Sequence, residues 1–150
     1  MTAPTTAPAV LPGTAGGLVT FRLGARDYAT PLVEVREVVR LQGLADLPAM
    51  QPPLAGVLDL RGAALPVLDL RPDRDAGRGD VLVVQGDGDP VGVAVDRVRA
   101  VVDGGALAPA GGAERGVLPE YVVDVLRGPD GPVFLVDLSR MVDAARAAAQ

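Results

Sequence analysis

Residues 80–95 read DVLVVQGDGDPVGVAV, two apolar runs on either side of a Gly/Asp cluster. β-branched residues crowd both runs, and Gly and Asp supply the backbone angles of a tight reversal, so the stretch predicts a β-hairpin. The same pattern recurs outward in both directions. Toward the C-terminus, DRVRAVVD (96–103) continues extended with alternating Arg and Val, and YVVDVLRGPDGPVFLVDL (121–138) is a second hairpin turning between Gly128 and Gly131. Toward the N-terminus, LVTFRLG (18–24) sets Val19, Phe21 and Leu23 on one face and Thr20 and Arg22 on the other, a half-buried strand. ARD (25–27) is expected to turn, and YATPL (28–32) to form a short strand in which Pro31 demands an edge position or a bend. LVEVREVVRL (32–41) is ambiguous: alternation groups Val33, Val35 and Glu37, whereas helical spacing groups Leu32, Val35, Val38 and Val39. Its density of Val favours a strand or a brief helical turn over a long helix. Residues 44–56 (proline-rich), 71–80 (charged) and 104–116 (Gly/Ala-rich) read as loops. Helix chemistry is confined to residues 138–149, where Asp137 or Ser139 can cap and the tail is Ala-rich. Nine or ten short strands with regular turns and one terminal helix define an all-β barrel or sandwich.

Within residues 56–71, GVLDLRGAALPVLDLR, the letters VLDLR occur twice. Gly62, Ala63 and Ala64 are small enough to let the chain reverse, so the two runs can pair as a hairpin. Strand geometry would put Asp59 and Arg61 on one face and Leu58 and Leu60 on the other, and the same for Asp69 and Arg71. A solvated face with each Asp paired to its own or its neighbour's Arg accounts for this. A metal or acid–base reading would recruit Asp59, Asp69 and Asp96 as oxygen ligands. No base, nucleophile or phosphate loop accompanies them. GDGD (86–89) opens like a calcium loop but lacks the remaining ligands, and a hairpin turn explains it.

Bulk composition narrows the function further. The chain has 150 residues, which predicts one domain able to bury about 68–70% of its unfolded surface. Having no Cys and no His removes a cysteine nucleophile, a zinc ribbon, a disulfide framework and the commonest general base. No GxGxxG, Walker loop or GxSxG is present, so no cofactor and no enzyme activity are expected. All 14 basic residues are Arg, and 19 acids leave a net charge of −5, the wrong sign for sequence-blind phosphate binding. No run approaches the ~20 apolar residues of a membrane span, and the N-terminus lacks a signal peptide's basic and apolar regions. A soluble cytoplasmic protein without nucleic acid as partner is the expectation. Residues 1–17 carry no charge and no aromatic, only repeated Pro, Ala, Thr and Gly, and read as a flexible leader.

Laid in order, these pieces resemble the CheW family of chemotaxis coupling proteins from about Leu18 to Val142. They are F-x-L-G with a following Tyr at 21–28, V-x-E-V at 35–38 and Leu47-Pro48. G-V-x-x-L-R-G with L-P-V-x-D-L-R at 56–71, V-G-V-x-V-D-x-V at 91–98 and L-V-D-L at 135–138 complete the set. Each is generic alone; in sequence and at compatible spacing they form a specific signal. The resemblance implies a CheW-like domain over 18–150: two packed SH3-like five-stranded β-barrels with a short C-terminal helix. It implies a non-catalytic adaptor between the cytoplasmic tips of methyl-accepting chemoreceptors and the histidine kinase CheA, without direct membrane insertion. One barrel face would meet the kinase's CheW-like regulatory domain, and the groove between barrels would take the receptor tip. Val35 and Glu37 match family docking positions, and Arg61, followed by Gly62, matches the family's Arg tied to receptor coupling. Asp59 departs from the family's usual Asn and would neutralise part of the Arg61 charge. A CheW-like module of a non-chemotaxis array, or an Asp-based metal enzyme, are the alternatives.

Overall fold

Apolar alternation starts the first strand where the sequence places it. In the computed structural model, which describes residues 16–46, 53–73, 77–85, 89–110 and 118–148, β1 spans Leu18–Leu23 and β2 spans Arg26–Pro31. The turn between them is Gly24–Ala25, so Arg26 and Asp27 belong to β2 and not to the expected turn. Gly24 explains the difference: at φ +61° it adopts the left-handed conformation that closes a two-residue hairpin loop. Pro31 ends β2, which lies between two other strands; its effect is therefore a bend, into a 3-10 turn at Leu32–Glu34. β3 (Val35–Arg40) follows, so the ambiguous segment is a helical turn and then a strand. Val33 leaves the face it was grouped with and stands 84% exposed in the turn.

The VLDLR pair forms the hairpin β4 (Leu54–Leu60) and β5 (Ala63–Asp69), with Leu58 opposite Leu65. Next come β6 (Asp80–Gln85) and β7 (Pro90–Val95), antiparallel with Val81 opposite Ala94. Residues 86–88 of the GDGD turn lie outside the described residues. β8 (Arg97–Val102), β9 (Val122–Gly128), β10 (Gly131–Val136) and α1 (Leu138–Ala148) complete the order. Asp137 caps α1: its Oδ1 accepts from the Arg140 amide at 3.1 Å.

The described residues form two five-stranded sheets, β8-β1-β2-β10-β9 and β3-β6-β7-β5-β4. Each contains one parallel pair, β2 with β10 and β5 with β7. The two repeat one plan, with β8, β1, β2, β10 and β9 corresponding to β3, β6, β7, β5 and β4. A loop residue covers the last strand in both: Ala45 exchanges two 2.9 Å backbone bonds with Val57 of β4, and the Ala110 amide donates to Val125 of β9 at 2.8 Å. Each sheet thereby curls into a small barrel with its own interior. Leu18, Ala29, Leu126, Val133 and Leu135 fill the first, and Leu58, Leu65, Val67, Val81, Val83 and Ala94 the second. A third cluster lies between the barrels, joining Val19, Phe21 and Leu23 of β1 to Leu82, Val84, Val93, Val95 and the α1 residues Leu138, Met141 and Val142. Central strands β6 and β7 are covered on both faces, so their apolar runs are continuous rather than alternating. Burial of each such Leu, Val or Phe contributes about 1.5–3 kcal/mol.

Of the expected leader, residues 1–15 lie outside the described residues. Gly17 is tied to the fold, its carbonyl accepting from the Leu32 amide at 3.0 Å.

Candidate docking site

Arg61 and Gly62 form the two-residue turn between β4 and β5, both with positive φ (+50° and +88°). Such a turn matches the right-handed twist of the flanking strands, which is why it suits a hairpin. Glycine takes this conformation freely, whereas Arg61 is the sole non-glycine with positive φ among the described residues. Asp59 stabilises the turn: its Oδ1 accepts from the Gly62 amide at 2.8 Å. The expected partnership of Asp59 with Arg61 is therefore absent, and Arg61 does not share a strand face with it. Because one side-chain oxygen is all this turn requires, Asp serves as Asn would.

Arg61 reaches instead to Glu37 on β3. Nη2 donates to Oε2 at 2.6 Å and Nη1 to Oε1 at 3.0 Å, a two-pronged fork. β3 and β4 are the two ends of the sheet order, so the pair spans the seam where the second barrel closes. The hydrogen bond from Arg61 holds the Glu37 carboxyl below the usual carboxylate range. Arg61 remains 69% exposed, a charged group oriented by its partner yet open to solvent. Val35 is half-buried against the cluster between the barrels, while Val38, on the outer face of β3, is 43% exposed. Of the five positions expected to dock a partner, Glu37, Asp59, Arg61 and Gly62 come together in one small surface. Val35 faces the core beside it. The 24-residue separation of Glu37 from Arg61 left no local signal of their contact.

The second VLDLR does the opposite. Arg71 Nε and Nη2 donate to Asp69 Oδ1 and Oδ2 at 3.0 and 2.9 Å, and both side chains are only 4% exposed. Nη1 also donates to the Arg78 carbonyl at 2.9 Å, pinning the loop beneath β5. Asp59, Asp69 and Asp96 do not form a ligand set: Asp59 accepts from the Gly62 amide, Asp69 is forked by Arg71, and Asp96 Oδ2 accepts from the Gly24 amide at 2.6 Å. No group of three or more Asp, Glu, His or Cys among the described residues is arranged to hold a metal.

Between the barrels and α1 lies an apolar recess of about 610 Å³, walled by Leu23, Tyr28, Leu70, Pro72, Tyr121 and Met141. Tyr28 stacks on Phe21 and leans on Phe134, ring centroids 5.6 and 5.7 Å apart, so the aromatics brace this wall. Nearby, Glu34 of the 3-10 turn meets the start of α1. Burial and the neighbouring Asp137 raise its carboxyl above the usual range, opposed by a hydrogen bond from the Leu138 amide. Nothing in the sequence pattern flagged this contact.

A family model described as the CheW-like domain matches residues 17–146. The chain belongs to the CheW-like domain family. Among curated CheW proteins, it is 30% identical over 91 residues to a probable chemotaxis protein CheW of Rhizobium etli, covering 57% of this chain and 59% of that protein. It is 32% identical over 54 residues to chemotaxis protein CheW of Bacillus subtilis (36% and 35%), and 22% identical over 136 residues to that of Treponema pallidum (83% and 80%). The first two matches thus span less than two thirds of those proteins' lengths. The scaffolding protein TtCheW from Thermoanaerobacter tengcongensis shares the fold, with a TM-score of 0.66 at 22% identity, covering 83% of this chain and 85% of that one. The resemblance read from the sequence motifs is therefore the CheW-like fold.

Proposed function

We propose that this protein is a non-catalytic adaptor coupling chemoreceptors to the histidine kinase CheA in chemotaxis signalling. The observation that carries the reading is the CheW-like domain match across residues 17–146, supported by curated relatives named as chemotaxis CheW proteins. Arg61, fixed by Glu37 and open to solvent at the β4–β5 turn, is the charged anchor for a partner, with Glu37, Asp59 and Gly62 shaping its surroundings. Val35 supports that surface from beneath. The apolar recess between the barrels suits an amphipathic helical tip, while the second barrel meets the kinase's regulatory domain. The adaptor works in the cytoplasm, reaching membrane arrays through its partners; no helix among the described residues is long and apolar enough to cross a bilayer. Residues 18–150 are the functional unit, and the leader of residues 1–17 is dispensable for it apart from Gly17, whose carbonyl accepts from the Leu32 amide.

Calorimetric titration against a receptor tip fragment and against the CheA regulatory domain tests this. Saturable binding to both, weakened by Arg61→Ala, is expected. Failure of the unsubstituted protein to bind either overturns the adaptor reading.

A further inference from the structure

We propose that the recess between the barrels and α1 selects a helical segment carrying a carboxylate beside its apolar face, and that Arg26 is the residue that reads it. Because the receptor tip is the helix that the adaptor reading offers, this specificity rests on that reading. Of the described side chains lining this recess of about 610 Å³, Arg26 alone is charged. In a chain of net charge −5, a lone cation set in apolar walls is a local exception.

Strand register aims Arg26 at this recess. Arg26 pairs with Leu23 across the β1–β2 turn, and Tyr28 follows two positions along β2, so all three occupy one face of the sheet. It is the face that Leu23 and Tyr28 turn toward the cluster between the barrels. Arg26 is exposed there and enters no ion pair among the described residues. Asp27, its neighbour in the chain, belongs to the opposite face, where Arg22 and Arg99 hold it at 3.5 and 3.2 Å. Asp96 Oδ2, beside the same turn, is taken up by the Gly24 amide at 2.6 Å. Two hydroxyls share the rim with Arg26. Burial and then Tyr28 push the Tyr121 phenol above its usual range while Arg26 opposes them, so the three polar heads lie within reach of one another. A protonated tyrosine donates, and the rim thus offers an anion donors with no carboxylate to repel it.

The walls select what carries the anion. A free anion would engage Arg26 and leave Leu23, Leu70, Pro72 and Met141 in water, whereas a carboxylate on an apolar scaffold uses both. The backbone excludes an added strand: β2 lies between β1 and β10 with both edges paired, so an extended segment finds no ladder to join. A helix bonds its own backbone and presents only side chains. Residues three or four apart share one helix face, which puts an Asp or Glu one turn from the apolar residues that fill the recess.

The test is isothermal titration of the full chain and its variants with a receptor tip fragment. Arg26→Ala should weaken binding by about tenfold, and Arg26→Glu further. Replacing the tip's acidic residues by Arg one at a time should find one reversal that restores affinity for Arg26→Glu. Arg97→Ala, which removes an exposed charge from β8 of the same barrel, should change binding less than about twofold. If the tip binds and both Arg26 variants match the unsubstituted protein, the role of Arg26 is overturned while the adaptor reading stands. The same holds if Arg97→Ala weakens binding equally, which would indicate bulk charge, or if no reversal in the tip restores Arg26→Glu. If the tip fails to bind the unsubstituted chain, the adaptor reading falls and the specificity falls with it.

Discussion

At the scale of single residues, the two copies of Asp-x-Arg set opposite expectations. Arg71 sits with Asp69 in a 4%-exposed pair, so Arg71→Ala strands a buried carboxylate and should destabilise the fold by about 3–5 kcal/mol in denaturant titration. Arg61 is held at φ +50°, which costs a non-glycine residue about 1 kcal/mol or more. Arg61→Gly removes that strain along with the exposed ion pair, so its melting temperature should match or exceed that of the unsubstituted protein. Its affinity for receptor tip should fall nonetheless; an unchanged affinity would show that the side chain does not dock. The two glutamates titrate in opposite senses. Glu37 has its carboxyl lowered from 4.5 by Arg61, so its contribution is present above pH 4.5 and disappears as pH falls through its folded value. Glu34 has its carboxyl raised from 4.5 by burial and Asp137, so its contribution is full below pH 4.5 and is lost as pH rises through its folded value. Glu34→Gln, which keeps an acceptor for the Leu138 amide, should therefore raise the melting temperature at neutral pH. Below pH 4.5 the two proteins should melt alike; a gain that persists there would contradict the assignment.

At the scale of elements, close backbone contacts decide what can change. Gly56 lies at the bulge where β4 meets the loop residue that closes the second barrel. A Cβ there would sit 2.6 Å from the Ala45 carbonyl oxygen. Gly56→Ala should thus loosen that seam, seen as faster amide exchange at Ala45 and Val57 before any change in the first barrel. The elements themselves were largely legible. Hairpins at 80–95 and 121–138 announce themselves by apolar runs around Gly-rich turns, and Val19, Phe21 and Leu23 face the core as their alternation requires. The β1–β2 turn was misplaced because Gly24 outweighed the polar ARD that follows it. The candidate site was half legible: its residues follow from family motifs, but the Glu37–Arg61 fork depends on barrel closure. Periodicity reports which face a residue occupies, and it carries no information about which distant strand arrives there.

At the scale of the whole molecule, the cluster between the barrels is what makes them one unit. Phe21 is fully buried there, against strands of both sheets and α1. Phe21→Ala should cost about 3–5 kcal/mol, and both barrels should melt in one transition, followed by amide signals from each. Separate transitions would show that the shared cluster is not what couples them. The chain order has a further consequence for biogenesis. β3 to β7 are contiguous, whereas the first barrel needs β1 and β2 from the start of the domain and β8 to β10 from its end. A ribosome therefore releases every strand of the second barrel while the β1–β2 hairpin still lacks its neighbours. Nascent chains stalled after β7 should already resist protease within strands β3 to β7, while Phe21 still lacks Val136, Leu138, Met141 and Val142 of its cluster and stays partly open to chaperones.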